Sequence, residues 1–86
     1  MNTTESLKNL ICDAVLAAGT EWVRFSVIRA ALPMISREDM DEALMELSTE
    51  EDVIVCADAD QVSLSPADRD AQIPFADRYL GLIRFL

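Results

Sequence analysis

The chain has 86 residues, 51% of them apolar, and a formal net charge of −9. That is room for one small domain around one core, and too apolar for wholesale disorder. It contains no histidine and only two glycines, so histidine-based catalysis and glycine-rich phosphate loops are excluded.

Leu7, Leu10, Ile11, Ala14, Val15 and Ala18 recur at helical spacing and predict a first helix over 7–18. Asn2 and Glu5 can form a capping-box-like start, and Gly19 is placed to stop the helix. "TEWVR" (20–24) is short and β-leaning. A second helix follows over 25–32, with Phe25, Ile28 and Leu32 on one face and Pro33 ending it. Arg24 and Arg29 are expected to point to water.

The third helix is predicted over 37–49. Ser36 and Asp39 make a loose capping box, and Ile35 and Met40 a hydrophobic staple. Met40, Ala43, Leu44 and Leu47 form its inner stripe. At 100° per residue its outer arc is Glu38, Asp41, Glu42, Met45, Glu46 and Thr49.

The hydrophobic period then changes from 3.6 to 2 near Val53. "VIVCA" (53–57) and "QVSLS" (61–65) predict a hairpin across "DAD" (58–60). "SPADRD" (65–70) reads as one helical turn, with Ser65 as cap and Pro66 at the first position. The tail fits two readings. "AQIPF" (71–75) and "YLGLIRFL" (79–86) form a second hairpin across "ADR", or a C-terminal helix starts near Pro74. Gly81 costs about 1 kcal/mol inside a helix, and the aromatic and β-branched content favours the hairpin.

The acidity is local. Residues 38–60 hold ten of the sixteen acids and no Lys or Arg; the rest of the chain carries six acids against seven bases. Such a run is most often a solvated face. Cys12 and Cys56 lie in apolar runs outside any C-x-x-C pair, so buried free thiols are expected rather than zinc. Asp58 and Asp60 lack the full calcium-loop pattern. No metal or cofactor is expected. Arg69, Arg78 and Arg84 are expected to pair with nearby acids. "MNTTESLKNL" is unlike a signal peptide, and no apolar stretch nears the roughly 20 residues of a membrane span. A cytoplasmic protein without a membrane partner is expected.

The order helix, short strand, helix, helix, strand, turn, strand is that of a winged helix. "EWVRFSVIRAAL" resembles the first strand and second helix of that family, "ISREDMDEALMEL" its third helix, and "VIVCADADQVSLS" its wing. The match covers about residues 5–65. The tail from Leu64 is similar to a segment of small uncharacterised actinobacterial winged-helix proteins. The resemblance implies an α+β fold of three helices and a β-hairpin wing, with a C-terminal β-hairpin extension over 66–86. It also implies DNA binding through the third helix and wing. Here both surfaces are negative, and phosphates are bound by Lys and Arg.

Two functions follow from the residues. The first is a non-catalytic interaction module. Glu38, Asp41, Glu42, Met45, Glu46, Thr49, Asp58 and Asp60 would bind a basic protein surface, or mimic DNA to occupy a DNA-binding protein. The second is a small dimeric DNA-binding regulator using another face, built from Lys8, Arg24 and Arg29. A homodimer surface is expected from the apolar tail residues Ile73, Phe75, Tyr79, Leu80, Leu82, Ile83 and Phe85, unless these complete the core.

Overall fold

In the computed structural model, which describes residues 3–86, α1 runs Thr3–Ala18. The expected cap at Asn2 lies outside the described residues. Leu7, Ile11 and Val15 are buried, while Leu10 is exposed at the edge of the stripe. Gly19 ends the helix at φ +71°, a left-handed conformation that costs glycine little. A short strand, β1 (Val23–Arg24), leads into α2 (Phe25–Ala31), whose Phe25 and Ile28 are buried.

The helix α3 (Arg37–Leu47) begins as expected, with the Ser36 hydroxyl accepting from the Asp39 amide. All four inner-stripe residues are buried. The helix ends two residues earlier than predicted. Ser48 and Thr49 turn their hydroxyls back onto the carbonyls of Met45 and Glu46, a local bond that competes with helix continuation.

The β2 strand (Val53–Cys56) begins where the period changes. Its partner is not residues 61–65; that expectation is corrected. Residues 57–65 contain no strand. The Asp58 carboxylate accepts from the Asp60 amide, and Asp60 from the Ser63 amide. These aspartate turns take up backbone donors that a hairpin ladder would need. Val62 is left 90% exposed.

Next come α4 (Pro66–Ala71), with a reciprocal Ser65–Asp68 capping box, then β3 (Ile73–Phe75) and β4 (Arg78–Leu80). The last two pair antiparallel, Ile73 opposite Leu80, as the tail-hairpin reading expected. The C-terminal helix does not form. The expected second strand of that hairpin is interrupted, however. The chain leaves the hairpin at Gly81 and continues as β5 (Leu82–Phe85).

This last strand lies between the other two of its sheet, in the order β1-β5-β2, antiparallel to both. Val55 and Val23 both stand opposite Ile83, which is fully buried. Gly81 extends the strand: its amide donates to the Cys56 carbonyl, and its carbonyl accepts from the Phe25 amide at the start of α2. Residues expected as an extension thus supply the centre of the sheet. The architecture is α+β, four helices with two antiparallel sheets among the described residues. No helix among them is long and apolar enough to cross a membrane.

Ile83 tests this arrangement. Ile83→Ala removes buried methyl groups from the central strand and should cost about 2–5 kcal/mol in urea unfolding. Leu16→Ala, at a side chain 69% exposed, should stay within about 0.5 kcal/mol. Equal losses would contradict the central position of β5.

Candidate interaction surface

Glu38, Glu42 and Glu46 form an exposed ridge along α3. They recur every four residues, about 6 Å apart along the axis. The Ser36 cap and the buried inner stripe hold the helix, so this spacing is fixed. Asp41, expected on the same arc, turns inward: it pairs with Arg29 and Arg37 and is only half-exposed. Thr49 is exposed, its hydroxyl spent on the Glu46 carbonyl. Met45 is half-buried and packs against the core.

Asp58 and Asp60 do not sit at the tip of a wing hairpin. Asp58 is held by the Arg24 guanidinium at 3.1 Å and caps its own loop, so it is a structural group. Asp60 is exposed. The structure therefore brings Glu38, Glu42, Glu46 and Met45 together on one helix and assigns Asp41 and Asp58 to internal ion pairs.

Among the described residues, every Lys and Arg except Arg78 is closely engaged. Lys8 contacts Glu5 and Glu50; Arg24 contacts Asp58 and Asp68; Arg37 contacts Asp41 and Asp70. The Glu5 hydrogen bond, with Glu50, holds the Lys8 ammonium above its usual pKa despite some desolvation. Arg84 pairs with Glu21 and lies over the Trp22 ring; Arg78 meets Asp77 loosely at 4.0 Å. Arg69 departs from expectation by donating to the Gln61 carbonyl rather than to an acid.

Arg29 carries the largest correction. Expected in water, it is mostly covered and donates to Asp41 of α3 and twice to the Ala71 carbonyl at the end of α4. Arg24 pairs with Asp58 and Asp68 while 41% of its side chain stays exposed, so the expectation of water holds for it only in part. Hydropathy could not reveal either, because the partners lie 12 to 44 positions away in sequence.

Eight carboxylates have no cationic partner within 4.0 Å among the described residues: Asp13, Glu38, Asp39, Glu42, Glu46, Glu51, Asp52 and Asp60. Six of the eight belong to α3 or the turn after it. Uncompensated negative charge is thus concentrated on α3 and the turn after it.

Beside α3 the β3–β4 hairpin leaves a shallow groove of about 340 Å³, lined by Met45 and Ser48, Val55 and Leu80, and Phe75 to Arg78. The expected dimer surface divides here. Ile73, Leu80 and Ile83 are buried in the core and unavailable as surface; Leu82 and Phe85 are half-buried. Phe75 and Tyr79 stay exposed.

A second cluster, unforeseen except for the Ser65 cap, joins α2 to α4. The Ser26 hydroxyl and the Arg24 guanidinium both donate to Asp68, which also accepts from Ser65. The Ser26 hydrogen bond is the main reason the Asp68 pKa lies below its ordinary value of 3.8; Ser65 and Arg24 act in the same direction against some desolvation.

Both thiols are free but half-buried rather than fully buried. Burial, then the nearby Asp58 charge, pushes the Cys56 thiol up, making it a poor nucleophile at neutral pH. The described residues hold no group of three metal-ligating side chains. Compared with known proteins, the chain matches no family model, no curated protein and no solved structure.

Two measurements test these assignments. Arg29→Met should destabilise by about 1.5–3 kcal/mol, since charged hydrogen bonds to two elements are lost. Arg78→Ala, a loose exposed pair, should cost under about 0.5 kcal/mol. Ser26→Ala should raise the Asp68 pKa, read by NMR titration of its carboxyl carbon. A carboxylate with a lowered folded pKa stabilises above its unfolded value and loses that contribution as pH falls through the folded one. The ionisation-linked deficit of Ser26→Ala should therefore be full near pH 7 and vanish once Asp68 is protonated in both proteins.

Proposed function

We propose that this chain is a non-catalytic interaction module of winged-helix type whose acidic third helix binds a basic surface on a partner protein. The topology supports the fold part of the reading. The order is helix, short strand, helix, helix and strand, and the closing strand β5 pairs with both earlier strands. In winged-helix terms, β2 and β5 are the wing strands. The connection between them spans residues 57–81 and holds α4 and the β3–β4 hairpin.

One observation carries the functional part: every Lys and Arg side chain except Arg78 makes a close contact within the chain, while the unpaired carboxylates lie mainly on and just after α3. A duplex approaching α3 meets repulsion from Glu38, Glu42 and Glu46. The rival docking face fares no better, because Lys8, Arg24 and Arg29 are each tied to carboxylates. Releasing them to bind phosphate would break contacts that hold α1, α2 and α4. A basic protein surface meets the ridge with attraction, faster and tighter at low salt.

The test is the triple variant Glu38→Lys, Glu42→Lys, Glu46→Lys. All three sites are exposed, so the melting temperature should change little. Binding to an oligolysine peptide at low salt should fall at least about 10-fold, and weak, salt-sensitive binding to duplex DNA should appear. Duplex binding by the unaltered protein in moderate salt would favour the DNA-binding alternative. Unchanged oligolysine affinity in the variant would remove α3 from the interface.

A further inference from the structure

We propose that the groove between α3 and the β3–β4 hairpin is the apolar half of the docking site, and that its occupant is an amphipathic, basic segment of the partner protein. This rests on the acidic-ridge reading above and adds what kind of basic chain is selected.

The groove has apolar walls from both sides: Met45 from α3, Phe75 and Leu80 from the hairpin, and Val55 from β2. Phe75 is 52% exposed although it is one of the chain's few aromatic residues. Met45 is flexible and polarisable, suited to packing against a varied side chain. At the hairpin tip Ala76 has φ +56°, a left-handed conformation that glycine would adopt without strain. Its methyl adds to the groove lining.

Charge selects the occupant. Glu42 lies one turn before Met45 on the same side of α3 and is exposed. The highly exposed Asp77 stands on the opposite wall. An apolar side chain seated between Met45 and Phe75 thus has the exposed, unpaired Glu42 beside it on the α3 side, where a neighbouring Lys or Arg would be held. Arg78, the one base in the lining, already faces Asp77. A second copy of this chain is a poor occupant. It would bring its own net charge of −9, and all its cations but Arg78 are already closely engaged. Nucleic acid has neither the positive charge nor the aliphatic side chain required.

The experiment uses two synthetic peptides of equal positive charge, an amphipathic Lys/Leu peptide and a Lys/Ser peptide of the same length, added to the full chain with ¹³C-methyl methionine and ¹⁵N labels. Both should shift the amides of Glu38, Glu42 and Glu46. Only the Lys/Leu peptide should shift the Met45 methyl and the amides of Phe75 and Ala76, and it should bind at least about 10-fold more tightly. Phe75→Ala, at an exposed site, should reduce its affinity toward that of the Lys/Ser peptide and leave the latter unchanged. If that variant folds poorly, the Met45 methyl of the unaltered chain still distinguishes the two peptides. Equal affinities with a silent Met45 methyl would overturn the groove and leave the acidic ridge standing. Failure of both peptides would overturn both readings. Concentration-dependent Met45 and Phe75 shifts without peptide would name a second copy as occupant and also overturn the proposal.

Discussion

The fold closes on its last strand. Without β5, the two residues of β1 and the four of β2 have no shared partner. Short strands gain stability only in a sheet with a covered face. β5 provides both: a ladder on each edge and Ile83 in the core. Gly81 enters this strand by bonding to Cys56 on one side and Phe25 on the other. A β-carbon there would lie 3.2 Å from the side chain of Gln72, itself buried and bonded to Gln61. The pairing of β2 with β5 is long-range, so it forms only after loop-closure entropy is met.

The polar contacts serve the same closure. The segment between β2 and β5 must fold back over α2 so that the chain can return to the sheet. Arg24 and Ser26 hold its start through Asp58 and Asp68; Arg29 holds the end of α4. Arg37 adds a bond to the Gln72 carbonyl. Arg24, Arg29 and Arg37 are therefore structural staples. This leaves the helix with the densest acid content uncompensated, and the proposed function follows from that asymmetry. In the proposed complex the ridge would supply long-range attraction and the groove beside it a short-range apolar seat. Both would be needed for specificity, since exposed charge alone is screened by salt and discriminates little.

Local signals in the sequence determined the helices, the caps at Ser36 and Ser65 and the change of period at Val53, and favoured a tail hairpin over a C-terminal helix. Each depends on residues within a few positions of one another. Glu38, Glu42 and Glu46 were legible as an outward ridge for the same reason: helical spacing places them opposite Met40, Ala43, Leu44 and Leu47. Tertiary structure alone decided which strand pairs with β2. "QVSLS" and "LIRF" both read as strands. The first lost its ladder to aspartate side chains two and three residues away, and the second gained two neighbours by returning from the end of the chain. Tertiary structure alone also decided which carboxylates are free. Asp41 and Glu42 are adjacent and alike in sequence, yet Arg29 reaches only the first. Ion pairs between distant segments leave no periodic trace in the sequence, because they depend on where the fold brings two side chains together.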